Sequence, residues 1–207
     1  MYNLINNYID IIIKNISEQE ILTYVWLLQN AGQVNTLQYQ QRYKQYWGMN
    51  NARLSEEFCD AYFGLLGQTL DNPQNLNVAD IARALYETPV NAHRQNLQFS
   101  FSSKLAHMAN PGQPIYDSLV ADFYFFKTPQ NRDWQQKLEQ YMLFYNFLVN
   151  EYARISREGL LNASIQQFGN QFNQPVLTDA RVVDLLIWAF VKLLKQNSVL
   201  NGLIIYL

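Results

Sequence analysis

Apolar positions recur along this chain at spacings of three and four, the period of an α-helix. No stretch alternates convincingly with the period of two that a half-buried strand requires. The run "SEQEILTYVWLLQN" opens with Ser17 and Glu20 at capping-box spacing, and Ile21, Val25 and Leu28 then share one face. "RLSEEFCDAYFGLLG" predicts a second helix, with Ser55 as N-cap, Phe58, Tyr62 and Leu65 or Leu66 as its stripe, and Gly67 as its stop. "NVADIARALYE" predicts a short helix beginning after Asn77. A long helix is predicted from Asp133 to Gly159, its wide apolar side carrying Leu138, Tyr141, Met142, Tyr145, Leu148, Val149 and Tyr152. "TDARVVDLLIWAFVKLLKQ", capped by Thr178 or Asp179, is apolar on three sides and reads as a central helix. The ending "VLNGLIIYL" has the composition of a short strand, but a lone strand has no partner. The pattern therefore predicts an all-α chain of nine or ten helices, a single compact multi-helix domain over residues 1–207. Breaks at Pro73, Pro89, Pro111, Pro114, Pro129 and Pro175 are spaced as connectors within it.

Composition then narrows the function by exclusion. Hydrophobic residues make up 49% of the chain, ample for a large core, and charged residues only 15%, against about 25% in an average protein. Asn and Gln supply about a fifth of all residues and so much of the polar surface. A formal charge of −2 excludes a whole-surface basic field for nucleic acid, so phosphate binding has to be local. One local asymmetry exists: from Pro89 to Tyr116 the only formal charges are Arg94 and Lys104, joined by His93 and His107, with no acid. Cys59 is the sole cysteine, which excludes an internal disulfide and a cysteine-based zinc site. Its place in a helical apolar pattern reads as a packed core thiol. The two histidines lack metal-ligand neighbours, so no metal is predicted. The N-terminus has no basic region of the secretory type, and the longest apolar stretch is too short to span a bilayer, so a cytoplasmic protein is expected. The sequon at Asn162 has no consequence without secretion.

The stretch "FSSKLAHMANPGQPIYDSLV" carries the main chemical hint. In a helix, Phe101, Lys104, Leu105 and Met108 fall on one side, so Lys104 points with the apolar stripe. Either its stem covers the core while the ammonium snorkels out, or the amine lines a cleft, where desolvation and a helix start near Ser102 or Ser103 lower its pKa. Asp117 follows a proline-held segment at the start of "DSLVADFYFF", and reads either as a plain N-cap or as a carboxylate kept ionised by the helix end.

Together "SK-L-A-H-M…NP…P-I-Y-D-S-x-V" resembles the catalytic segment of the helix-hairpin-helix DNA glycosylases, and most nearly the bacterial proteins described as having the 8-oxoguanine DNA glycosylase fold. "YWGMNNARLSEEFCDAYFGLL", with Trp47, Gly48, Met49, Arg53, Leu54 and Ser55, is similar to the same group, as is "TDARVVDLLIW", with Arg181, Asp184 and Trp188. The resemblance implies two helical lobes around a cleft. It implies a DNA glycosylase, with or without lyase activity at abasic sites, that excises a damaged or modified base from DNA without a cofactor. Lys104 would be the Schiff-base nucleophile and Asp117 its electrostatic partner. Trp47, Phe101 and Tyr116 would stack on the flipped base, and Arg94, His93 and His107 would contact phosphate. Arg181 and Asp184, three apart, read as a pair on one helix face with a structural role. A monomer acting on DNA is the expected state. Three features depart from the group. "LQFSFSSK" lacks the glycines with which a hairpin grips phosphate, the interval from Lys104 to Asp117 is short at thirteen residues, and the chain carries little net charge. The missing glycines and the charge balance favour an alternative, a non-catalytic DNA-binding or interaction protein of the same fold.

Overall fold

Seven side chains that can cap a helix each lie one residue before one. Ser17, Thr36, Ser55, Asn77, Asp117, Asp133 and Thr178 each accept a backbone N–H from two or three residues further on, satisfying a donor that the first helical turn leaves free. The computed structural model describes residues 1–73, 77–91, 94–173 and 176–196. It is all-helical there, apart from one isolated bridge between Asn91 and Arg94. The "VLNGLIIYL" segment, Pro175 and His93 lie outside the described residues.

The chain opens with two short helices, α1 (Tyr2–Asn7) and α2 (Ile9–Lys14). Next come α3 (Glu18–Gln29), α4 (Leu37–Tyr46), α5 (Glu56–Asp71), α6 (Val78–Tyr86) and α7 (Phe99–Ala109). The rest is α8 (Ser118–Phe123), α9 (Trp134–Glu158), α10 (Asn162–Phe172) and α11 (Asp179–Lys195). These eleven exceed the nine or ten predicted, since six-residue helices such as α1 and α2 are too short for a periodic signal.

The ends of α9 match the sequence reading. Asp133 caps its start, and Gly159 closes it in the left-handed region at φ 67°, with the Leu160 N–H returning to the Ile155 carbonyl. Along its face, Phe144 is buried and stacks on Phe126 at 4.2 Å, whereas Val149 is 36% exposed. Gly67 does not stop α5. A Cβ there would come into van der Waals contact with Val34, and the helix runs on to Asp71, ending where Asn72 precedes Pro73 and leaves the helical region.

As predicted, α11 is the central helix: eleven of its residues are buried, Arg181 and Asp184 among them, and it packs on α2, α8, α9 and α10. The α3–α4 pair and the α5–α6–α7 group form the other side of one continuous core. A cleft opens where α3, α4 and α7 face α8 and α11.

Candidate active site

One buried hydroxyl brings Lys104 and Asp117 together. Ser103 Oγ accepts the Tyr116 N–H at 3.0 Å, and its own hydrogen faces the carbonyls of Ser100 at 3.0 Å and Tyr116 at 3.3 Å. Ser103 precedes Lys104, and Tyr116 precedes Asp117, so this clasp brings the two candidate positions to one place in the fold. The connecting loop is held at three further points. His107 Nδ1–H donates to the Gln113 carbonyl at 2.7 Å, the Tyr145 hydroxyl to the Pro114 carbonyl at 3.1 Å, and the Thr178 hydroxyl to the Pro111 carbonyl at 2.7 Å.

The Lys104 ammonium is partly buried. It donates to the Trp47 carbonyl at 3.2 Å, just past the end of α4, and sits 5.0 Å from the Phe101 ring centre and 5.6 Å from that of Trp47. Burial lowers its pKa from 10.5 to about 8, against the upward pull of the Asp117 carboxylate. The helix end does not contribute. α7 starts at Phe99, three or four residues earlier than the sequence suggests, so Lys104 lies beyond its first turn. Asp117 caps α8, accepting the Val120 N–H at 2.8 Å, while burial pushes its carboxyl above the usual range. The two groups line the same cleft but do not close to ion-pair distance, 4.0 Å. A lysine lowered and a carboxyl raised have proton affinities drawn towards each other, which eases transfer from amine to carboxylate.

The cleft has a volume of about 240 Å³. Beside Lys104 and Asp117 it is lined by Arg181, Asp184 and Trp188 of α11, with Tyr46 and Trp47 at the end of α4. Arg181 is caged by aromatics: its Nη2 donates to the Tyr46 hydroxyl at 2.6 Å, and its guanidinium lies 4.8 Å from the Tyr24 ring centre and 5.3 Å from that of Trp47. Asp184 accepts the Tyr152 O–H at 2.5 Å, and burial raises its pKa to about 7. Arg181 and Asp184 thus each have their own partner and do not pair with each other at ion-pair distance. Their spacing of three, and then four to Trp188, puts all three on one face of α11. In the sequence they stand out only through the resemblance of "TDARVVDLLIW", where Arg181 and Asp184 read as a structural pair.

Of the other predicted site residues, only Trp47 lines the cleft among the described residues. Phe101 is buried beneath Lys104 and does not reach the opening. Tyr116 faces away into a cluster with Phe99 and Tyr141, at 5.4 and 5.1 Å, and is no stacking platform. His107 is no phosphate contact either. It is fully buried, its Nε2 accepts from the Tyr24 hydroxyl at 2.7 Å, and burial lowers its pKa to about 3. Arg94 is exposed in the turn between α6 and α7, off the cleft. Cys59 is buried in the core. Among the described residues no group of three or more His, Cys, Asp or Glu is arranged to hold a metal, and no helix is long and apolar enough to cross a membrane. Comparison with family models, with curated proteins and with solved structures finds no match.

Proposed function

We propose that this chain is a lysine-dependent DNA glycosylase with lyase activity, built on a helix-hairpin-helix scaffold in which α6 and α7 are the hairpin pair. One observation carries the reading: a lysine amine lowered to about 8 and a carboxyl that takes no part in an ion pair with it face one cleft. At pH 7.5 about a quarter of such an amine is neutral, against about a thousandth at the ordinary value. The neutral Lys104 nitrogen attacks the sugar C1′ of a nucleotide flipped into the cleft. The new N–C1′ bond forms as the bond to the base breaks, and the base leaves with the electron pair. Asp117 stabilises the cationic sugar and accepts the proton shed by the lysine nitrogen. The nitrogen lone pair then forms the C=N bond as C1′–O4′ breaks, Asp117 returns its proton to O4′, and the resulting Schiff base can undergo elimination at the neighbouring phosphate.

Borohydride reduction in the presence of an abasic-site oligonucleotide tests this. Wild type forms a covalent adduct and Lys104→Ala does not, while Asp117→Asn slows adduct formation on a base-containing strand without unfolding the chain. Failure of wild type to form any adduct refutes the proposal. A second reading, a non-catalytic nucleic-acid-binding or interaction module of the same fold, is favoured by the glycine-free segment entering α7 and the charge of −2. It predicts binding to the oligonucleotide with no adduct.

A further inference from the structure

Three of the large apolar side chains that stay exposed among the described residues gather at one place. Phe125, just past α8, is 67% exposed, and Leu143 and Phe147 of α9 are 73% and 44% exposed. Leu143 and Phe147 lie four residues apart on the same helix face. The neighbours of Phe125 tie it to that face. The Tyr124 ring meets that of Phe147 at 5.2 Å, and Phe126 stacks on Phe144, whose own ring lies 5.9 Å from Phe147. Contiguous apolar surface marks an interaction site, whereas single exposed residues do not. The backbone at Phe125 adds a second sign. Its N–H returns to the Asp122 carbonyl at 3.1 Å and the Phe126 N–H to the Ala121 carbonyl at 2.9 Å, the pattern that closes a helix through a left-handed residue. Glycine usually fills that position, but here a phenylalanine holds it at φ 57°. A bulky ring kept in a strained conformation and left mostly to solvent adds little to the core beneath it, so the strain points to a role outside that core.

Charge says what fits the patch. No charged residue occurs from Gln140 to Asn150, and the amides Asn146 and Asn150 share the exposed side with Leu143 and Phe147. Near Phe125 the Asp122 carboxylate is already paired with Lys195, and Lys127 is the nearest cation in the sequence. Such a face suits neither phosphate nor a strongly charged partner. The chain itself supplies an uncharged, apolar occupant. Residues 197–207, "NSVLNGLIIYL", carry no charged side chain and follow α11 directly. Lys195, in the last turn of α11, is the residue that pairs with Asp122, three positions before Phe125. Asp122 and Phe125 are at most about 11 Å apart, whereas the seven steps from Gln196 to Leu203 reach about 24 Å, so the tether spans the gap. We propose that residues 197–207 dock through Leu203, Ile204 and Ile205 on the face made by Phe125, Leu143 and Phe147. The proposal is independent of the glycosylase reading of the cleft.

The test places p-benzoylphenylalanine, a photoreactive phenylalanine analogue, at position 147 of the full chain and, in a second variant, at position 143. Both positions are exposed, so the helical fold should be kept, which circular dichroism checks for each variant. Irradiation should link the probe to the peptide 197–207 of the same chain, in a product of monomer mass located by peptide mass spectrometry. Adding Ile204→Asp and Ile205→Asp, which set two carboxylates against an apolar face, should lower the yield at least about tenfold. The same probe replacing Leu37, 71% exposed on α4, should give no link to that peptide. A product of doubled mass would make a second copy of the chain the occupant and would overturn the proposal. So would the absence of any link to 197–207 from both positions, a yield unchanged by the two aspartates, or an equal yield from position 37.

Discussion

Lys104→Met separates a lysine held in the cleft for chemistry from one that merely snorkels. In the folded chain burial lowers the Lys104 amine from 10.5 to about 8. This displacement corresponds to about 3 kcal/mol of destabilisation while the group is charged. The penalty is fully present below pH 8, where folded and unfolded chains are both protonated. Between pH 8 and 10.5 the folded chain has lost the proton that the unfolded chain retains, so stability rises with pH, and above 10.5 the penalty is gone. Methionine keeps the unbranched stem and never titrates. At pH 7 the variant gains about 3 kcal/mol from removal of the charge. It loses about 1 kcal/mol with the Trp47 hydrogen bond, and about 1 kcal/mol with the two cation–π contacts. Lys104→Met should therefore be more stable than wild type by about 1 kcal/mol at pH 7, and that advantage should fall by about 2 kcal/mol by pH 10. Paired urea unfolding curves at pH 7, 8.5 and 10 measure the difference, in which every other titrating group cancels. A difference flat in pH would show an amine of ordinary pKa, and the reasoning from desolvation to nucleophile would fail.

Three other predictions concern the scaffold. Ser103→Ala should destabilise the chain by about 1–3 kcal/mol in urea unfolding, because it leaves the Tyr116 N–H and carbonyl unpaired; in the folded fraction it should slow adduct formation by loosening Asp117 against Lys104. His107 and Asp184 should oppose each other in acid. His107, lowered to about 3, makes stability fall as pH drops below 6.5, whereas Asp184, raised to about 7, makes it rise between pH 7 and 4. Wild type should be nearly flat between pH 5 and 7, while Asp184→Asn, which keeps only the His107 slope, should lose about 2 kcal/mol over that range. Gly159→Ala should destabilise by about 1 kcal/mol or more, since φ is 67° and a Cβ there would meet Asn162 Nδ2 at 2.9 Å; thermal unfolding measures it.

Helix starts were legible because Ser17, Ser55, Asn77, Asp117, Asp133 and Thr178 act through groups only two or three residues away. Lys104 and Asp117 were legible for a similar reason: a charge on an apolar stripe and a carboxylate after a proline-held turn are local facts. What the sequence left hidden depends on packing between distant helices. Phe101 and Tyr116 carry the right chemistry for stacking, but nothing local says that α5 and α9 would cover them. His107 looks like a free cation until Tyr24, 83 residues away, occupies its second nitrogen. Arg181 and Asp184 read as an ordinary pair spaced by one helical turn. Only when Tyr46 takes the one and Tyr152 the other do they separate into independent members of the cleft lining.

The central claim is that the Lys104 amine is the reacting group. Its most direct test is the pH dependence of borohydride trapping on an abasic oligonucleotide, with the modified residue identified by peptide mass spectrometry. The account predicts modification at Lys104 alone, with a trapping rate that rises with pH to a half-maximum near the amine's lowered value of about 8. Modification at another lysine, or a rate still climbing above pH 10, would contradict it.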